Sequence, residues 1–256
     1  MSYLQALILG AVQGIAEFLP ISSSGHLVVL EKFFRLDVAN LMGFDVILHL
    51  GTLLAVLIYF WREWLDVLKQ IFGQKAKEKF LWPLIVASIP AAIFGGLFGD
   101  LVESKSRVVA VVALMLILTA LLLFVSSRWP ADKKKEKVGI WQSLVIGIGQ
   151  ALAILPGLSR SGTTISFAQF LGIKRENAVR FSFLMMGPAV AGAVIFSLYK
   201  GVYLPSLNIC LVGLLAALIF SLLAVVFLMR FIKKYSFDIF AVYLLIISVL
   251  LIVLLK

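Results

Sequence analysis

The sequence predicts an all-α integral membrane protein: an inverted-topology repeat with six full transmembrane helices and two re-entrant helical hairpins. Three observations predict it. First, 62% of the 256 residues are hydrophobic and 14% are charged, with a mean hydropathy of +1.09. A soluble domain carries about 45–50% apolar and about 25% charged residues. Too little polar sequence remains to cover a surface in water, so lipid must be the solvent for most of the chain. Second, six apolar runs are long enough to cross a bilayer, and two more are broken near their middles. Third, the two halves of the chain resemble each other. Disorder, collagen, coiled coil and a disulfide scaffold are excluded by the same composition. The single Cys210 forms no intramolecular disulfide and leaves the redox compartment unreadable.

The elements follow in order. Met1–Leu9 has no basic leader and no small-x-small cleavage site at a sensible distance, so the first apolar stretch is expected to stay in the mature protein. Residues 4–34 are apolar but broken by Pro20 and by Ser22, Ser23, Ser24 and Gly25. Each piece is too short to cross alone, which reads as a re-entrant hairpin, with a kinked full span as the plain alternative. Full spans follow at 41–60, 82–99 and 108–125, then a linker at 126–137. Residues 140–172 form the second broken stretch, interrupted by Pro156, Gly157, Ser159, Arg160, Ser161 and Gly162. Spans at 181–199, 207–229 and 237–255 complete the chain. The whole is one membrane domain, 1–256, with repeat 1 over 1–125 and repeat 2 over 138–256. Trp61, Trp64, Trp82 and Trp129 lie at span ends and read as interface anchors.

The charge balance of +10 sorts by loop. One set holds Arg62, Lys69, Lys75, Lys77 and Lys79; Arg128, Lys133, Lys134, Lys135 and Lys137; Lys174, Arg175 and Arg180; and Arg230, Lys233 and Lys234. The other holds only Lys32, Arg35, Lys105, Arg107, Lys200 and Lys256. The richer set is expected in the cytoplasm, which puts both termini outside and dips the two hairpins in from opposite sides. The basic excess is thus a topology signal rather than a nucleic-acid footprint, with anionic-lipid contact a weaker reading.

A shift of 137 residues aligns Gly10 with Gly147, Gln13 with Gln150, Ser22 with Ser159, Ser24 with Ser161, Gly25 with Gly162 and Phe44 with Phe181. Three spans lie between the hairpins, and an odd number inverts the second copy. Such repeats bring broken helices together near the midplane, with the binding site at their interface.

The mismatches carry the chemistry. Glu17 faces Ile154, Ser23 faces Arg160, and His26 faces Thr163. One copy offers an acid, a hydroxyl and an imidazole; the other offers a guanidinium and hydroxyls. Gln13 and Glu17 share a helix face at i, i+4. Ser22 suits the N-cap of the next helix, where free N–H groups and the positive dipole end favour anions. An ordinary cap explains the serines alone. Glu17 and His26 at membrane depth need more, because a charge there costs about 2.5–3.5 kcal/mol on insertion scales and usually has a partner. In the second copy Ser159 caps and Arg160 lies in the first turn, against the helix dipole. Arg160 with Ser161, Thr163 and Thr164 reads as an oxyanion cradle, and neutralising Glu17 is a compatible second task.

The runs QGIAEFLPISSSGH (13–26) and PGLSRSGTT (156–164) resemble the two signature motifs of the undecaprenyl-diphosphate phosphatase family of the bacitracin-resistance type. The first matches (E/Q)xxxE with its serine-rich turn and histidine; the second matches PGxSRSxxT. The resemblance covers the whole chain, including FDVILHLGTLLAVLIYF (44–60). It implies hydrolysis of undecaprenyl diphosphate to undecaprenyl phosphate and phosphate, recycling of the lipid carrier of cell-wall synthesis, bacitracin tolerance, and residence in the bacterial plasma (inner) membrane. It also implies a divalent cation such as Mg²⁺ or Ca²⁺. The family's essential acid falls on Glu17, its serine on Ser23, its histidine on His26 and its arginine on Arg160. Gln13 stands where some members carry Glu, which weakens any two-carboxylate metal site.

Two mechanisms stay open at this point. Ser23 attacks the terminal phosphorus with His26 as base or acid and Glu17 orienting it or holding the cation. Alternatively Glu17 activates water and Ser23 binds. Gln13, Ser22, Ser24, Gly25, Ser159, Ser161, Gly162, Thr163 and Thr164 are the candidate substrate-binding residues. Asp45 and His49, i, i+4, read as an interior pair, or as residues that support the site or bind an ion, and Gln150 as structural. The site is expected to open outward. The competing class is a transporter or flippase of a phosphorylated lipid or small anion, since broken inverted repeats also serve transport. Lipids and a polyprenyl diphosphate are the expected partners, and the sequence leaves a homodimer open.

Overall fold

The computed structural model describes residues 1–36, 41–106, 108–129, 135–199, 201 and 204–254. Eleven helices lie among the described residues: α1 (Tyr3–Phe18), α2 (Ser23–Phe33), α3 (Met42–Tyr59), α4 (Trp61–Ile71), α5 (Leu81–Ser106), α6 (Val109–Arg128), α7 (Ile140–Leu152), α8 (Arg160–Phe170), α9 (Arg175–Tyr199), α10 (Leu207–Phe231) and α11 (Asp238–Leu254). The chain is all-α there, apart from one isolated bridge between Lys135 and Ile173. Five helices are long and apolar enough to cross a membrane: α3, α5, α6, α9 and α10. The sixth expected span, 237–255, corresponds to α11, a 17-residue apolar helix below that length.

Local chemistry sets the boundaries. Ser2 caps α1 in a reciprocal box with Gln5, at 3.2 and 2.7 Å. α1 stops at Phe18 because Pro20 forces Leu19 into an extended conformation, ψ 138°. Ser22 then caps α2 through the Gly25 N–H, at 3.2 Å. In the second broken stretch Gly157 takes φ +94°, open only to a residue without Cβ, and Ser159 caps α8 through the Gly162 N–H at 3.0 Å. Pro90 and Pro188 lie inside α5 and α9. Membrane helices tolerate this where neighbouring groups re-satisfy the freed carbonyls.

Several boundaries differ from the sequence reading. The stretch 61–81, read as a loop, contains α4, whose eleven residues are too short and too charged to register as a span. Its Trp61, Leu65, Leu68 and Ile71 are exposed, as on a helix lying in an interface. α9 starts at 175 rather than 181, and α5 continues to 106. Trp61, Trp82 and Trp129 are exposed at helix ends as anchors would be, but Trp64 packs on Gly187. The aromatic ring of Trp64 thus fills an internal crossing. Of the topology charges, Arg107, Lys133, Lys134, Lys200 and Lys256 lie outside the described residues, as does the Lys105 side chain.

The two broken stretches fold as helical hairpins, α1 on α2 and α7 on α8. Each hairpin's first helix packs mainly on a long helix of the other half: α1 on α10, and α7 on α5. α3 packs on α10 and α6 on α11. The α1–α10 and α7–α5 crossings are made by small residues, which let backbones approach closely. A Cβ on Gly10 would come 2.5 Å from the Gly213 carbonyl oxygen, and one on Gly147 would overlap the Ala87 backbone. Gly147→Ala is therefore expected to destabilise the protein by about 1–3 kcal/mol through overpacking, read as a lowered melting temperature in detergent. Gly96→Ala on α5, where a Cβ meets open space, is the matched control and should leave the melting temperature unchanged. The core runs through the hairpin tips, with Phe18, Phe60 and Phe183 stacked edge to face beneath them.

Candidate active site

The two tips meet. The Ser161 hydroxyl donates to the Leu19 carbonyl at 3.3 Å, and the Gly157 N–H donates to Ser24 Oγ at 3.4 Å. Gly25 abuts Gly157, so that a Cβ on Gly25 would sit 3.3 Å from the Gly157 Cα. The site is built at this seam.

Glu17 is its centre. The residue lies in the last turn of α1, where the helix dipole opposes a negative charge; Arg160 opens α8, where the dipole opposes a positive one. Each is misplaced on its own helix, and each supplies what the other lacks. Arg160 Nη2 donates to Glu17 Oε1 at 2.8 Å, while Nη1 donates to the Ser182 carbonyl at 2.8 Å. The other carboxylate oxygen, Oε2, accepts from Ser23 Oγ at 2.5 Å and from Gln13 Nε2 at 3.1 Å. His49 Nε2 stands 4.0 Å from the same oxygen. The pair is well shielded, with the Glu17 side chain 8% and the Arg160 side chain 16% exposed. The i, i+4 relation of Gln13 and Glu17 and the neutralisation of Glu17 by Arg160 therefore appear as the sequence suggested.

His49 meets Asp45 through the main chain: its Nδ1 lies 2.8 Å from the Asp45 carbonyl, which turns Nε2 toward Glu17. His26 uses the same device, with Nδ1 2.8 Å from the Ser22 carbonyl. Its Nε2 is turned to the Tyr243 hydroxyl, also at 2.8 Å. Both ring nitrogens of His26 are thus engaged away from Ser23, and the hydrogen-bond acceptor beside Ser23 is Glu17.

The hydroxyls and glycines read as a cradle divide by exposure. Ser23, Ser24 and His26 are half-buried. Gln13, Ser22, Ser159, Ser161, Thr163 and Thr164 are all buried, and most of them hold the tips. Ser159 caps α8, and its own N–H donates to Thr119 Oγ1 at 3.0 Å. Thr164 Oγ1 donates to the Arg160 carbonyl at 2.8 Å and lies 2.6 Å from Ser182 Oγ. Gly162 packs against Thr119. Thr163 Oγ1 and both side-chain amide atoms of Gln150 are buried without a hydrogen-bond partner, so neither side chain bonds to the cluster. Ser22 holds φ 71°, an unusual conformation for a residue with a Cβ, at the point where α2 begins.

Sequence reasoning missed three contributors: Thr119, Ser182 and Tyr243. Their signal was weak but physical, a polar group inside each of three otherwise apolar runs.

The arrangement suits phosphoryl chemistry. A serine hydroxyl lies in hydrogen-bond contact with a carboxylate, and a fixed guanidinium stands beside two helix N-termini. For the divalent cation the donors do not fit. No group of three His, Cys, Asp or Glu side chains that could hold a metal occurs among the described residues, and both Glu17 oxygens already accept hydrogen bonds.

Comparison with known proteins bears on this geometry. The sequence model of the family described as Bacitracin resistance protein BacA matches residues 6–250. The chain is 42% identical to an undecaprenyl-diphosphatase of Moorella thermoacetica, over 98% of this chain and 97% of the relative. It is 39% identical to one of Methanosphaera stadtmanae, over 99% and 98%. A third, of Caldicellulosiruptor bescii, is 40% identical over 95% and 94%.

Proposed function

The chain belongs to the bacitracin resistance protein BacA family, and from that premise we propose that it is an undecaprenyl-diphosphatase. It is a multi-pass membrane enzyme. It hydrolyses undecaprenyl diphosphate to undecaprenyl phosphate and phosphate, which recycles the lipid carrier for cell-wall synthesis and gives bacitracin tolerance. The observation that carries the reading at the level of chemistry is the Glu17 carboxylate, held between Arg160 of one hairpin and Ser23 of the other. A carrier needs a counter-ion at that seam, but has no use for a hydroxyl hydrogen-bonded to the carboxylate.

The route this geometry favours starts with the terminal phosphate on Arg160 and the N-terminus of α2. Glu17 takes the Ser23 proton as Ser23 Oγ attacks phosphorus. The bond to the bridging oxygen breaks, undecaprenyl phosphate departs, and water hydrolyses the phosphoserine. Arg160 supplies charge stabilisation, the main demand of phosphoryl transfer. His26, turned away from Ser23, is left for the leaving phosphate. A divalent cation such as Mg²⁺ or Ca²⁺ would arrive on the diphosphate oxygens rather than on protein ligands.

The inverted repeat is supported by the reciprocal packing of α1 on α10 and α7 on α5, with the matched Gly10 and Gly147 at the two crossings. In this reading repeat 1 covers 1–125 and repeat 2 covers 138–256, and α11 is the sixth span. The positive-inside argument then puts the termini outside, with the site opening outward from a bacterial inner membrane.

The test is phosphate release from undecaprenyl diphosphate by the purified protein in detergent. Wild type is expected to release phosphate, and a silent wild type would overturn the assignment. Ser23→Ala is expected to lose about 10²-fold or more in kcat, with a phosphoserine trapped at Ser23 in the wild type. Near-full activity in Ser23→Ala would instead make water the nucleophile, with Glu17 as its base.

A further inference from the structure

Tyr243 lies on α11, 217 residues from His26 in sequence, and outside every motif of the tips. Its hydroxyl is 2.8 Å from His26 Nε2, and the two rings stack nearly parallel, 6° apart with centroids at 5.8 Å. The other ring nitrogen, Nδ1, faces the Ser22 carbonyl at 2.8 Å. A carbonyl only accepts, so in the neutral ring Nδ1 carries the proton and Nε2 carries the lone pair. The tyrosine hydroxyl is then the donor to Nε2. Two contacts from separate elements therefore select one tautomer and fix the plane of the ring.

The place of the pair matters as much as its geometry. Ser23, Glu17 and Arg160 form the interior of the seam, whereas Tyr243 is 37% exposed on a helix whose neighbouring Val242 and Ile246 are exposed apolar residues. His26 stands between the two. A diphosphate with its terminal phosphate at Arg160 and its prenyl chain in lipid would put its lipid-linked phosphate near this boundary.

We infer that Tyr243 is a positioning residue for the hydrolysis: it holds the plane of His26 and, with the Ser22 carbonyl, its Nδ1–H tautomer, so that Nε2 is the nitrogen left to take up a proton and donate it to the lipid-linked phosphate as that phosphate departs. The inference rests on the phosphatase reading, and it adds a residue that neither signature motif contains.

The test combines turnover with a tautomer measurement on the full-length protein in detergent. The chain has two histidines, so ¹⁵N-histidine labelling gives a spectrum that a His26→Asn sample assigns. Wild type is expected to show His26 with the proton on Nδ1. Tyr243→Phe keeps the ring and loses the hydroxyl. It is expected to shift His26 toward a mixture of tautomers, and to lower kcat about tenfold with KM within about twofold of wild type. Both changes are required: a wild-type kcat or an unchanged His26 signal in Tyr243→Phe overturns the inference. Failure of the phosphatase reading is separately visible as an inactive wild type, and the spectrum, which needs no substrate, still decides the tautomer.

Discussion

Glu17→Gln is expected to lower kcat by about 10²–10⁴-fold, the range for removing a general base, and to destabilise the protein as well. Glutamine keeps the size of the side chain and can still accept from Ser23, but it cannot take the serine proton. It also leaves Arg160 with no counter-charge at a site where its side chain is 16% exposed. Breaking a buried pair from one side costs about 3–5 kcal/mol. The two effects separate in a double variant. Glu17→Gln with Arg160→Met removes both charges, and should recover much of the lost melting temperature while staying inactive. A single Glu17→Gln protein that keeps more than a tenth of wild-type kcat would take the base role away from Glu17.

Much of this site was legible because a bilayer makes polar residues conspicuous. Pro20 and the Pro156-Gly157 pair mark where two apolar stretches break, and Ser22 and Ser159 cap the helices that follow. The 137-residue shift pairs Gly10 with Gly147, and both lie at close helix crossings. What stayed hidden depends on side-chain direction or on distant partners. The hydroxyls of α8 look like ligands in sequence, yet Ser161 and Thr164 bond across the seam and back to the Arg160 carbonyl. His26 turns to a tyrosine at the far end of the chain, a choice that no local spacing encodes. α4 escaped because its period, apolar on one side and charged on the other, is that of a helix lying on an interface rather than crossing one.

The 137-residue correspondence in sequence also bears on why the two tips make one site. Ser23 and Arg160 are matched by the shift, and each is the first residue of its hairpin's second helix. Both converge on the same carboxylate, Glu17. The counterpart of Glu17 is Ile154, whose Cδ1 faces Gly95 of α5. A second carboxylate there would sit beside an apolar helix with no arginine opposite, because the matching arginine position is filled by Ser23. The asymmetry that sequence shows as mismatches is, in space, one acid served from both halves.

The same convergence sets the expectation for Arg160→Lys. The guanidinium is held by two acceptors at once, the Ser182 carbonyl through Nη1 and Glu17 through Nη2, each at 2.8 Å. That fixes its plane before substrate arrives. An ammonium keeps the charge, so Glu17 stays compensated and the melting temperature should fall far less than in Glu17→Gln. It cannot reproduce a planar fork on a phosphate, however, nor reach both acceptors from one centre. Losing one well-placed donor at a developing oxyanion costs about 10²–10³-fold, and kcat/KM for undecaprenyl diphosphate should fall by that amount. Inhibition by the product phosphate should weaken with it, because the same fork holds the ground state. If Arg160→Lys instead turned over with wild-type kcat/KM, positive charge alone would suffice at the seam. The geometry that joins the two hairpin tips would then be serving the fold and not the phosphate.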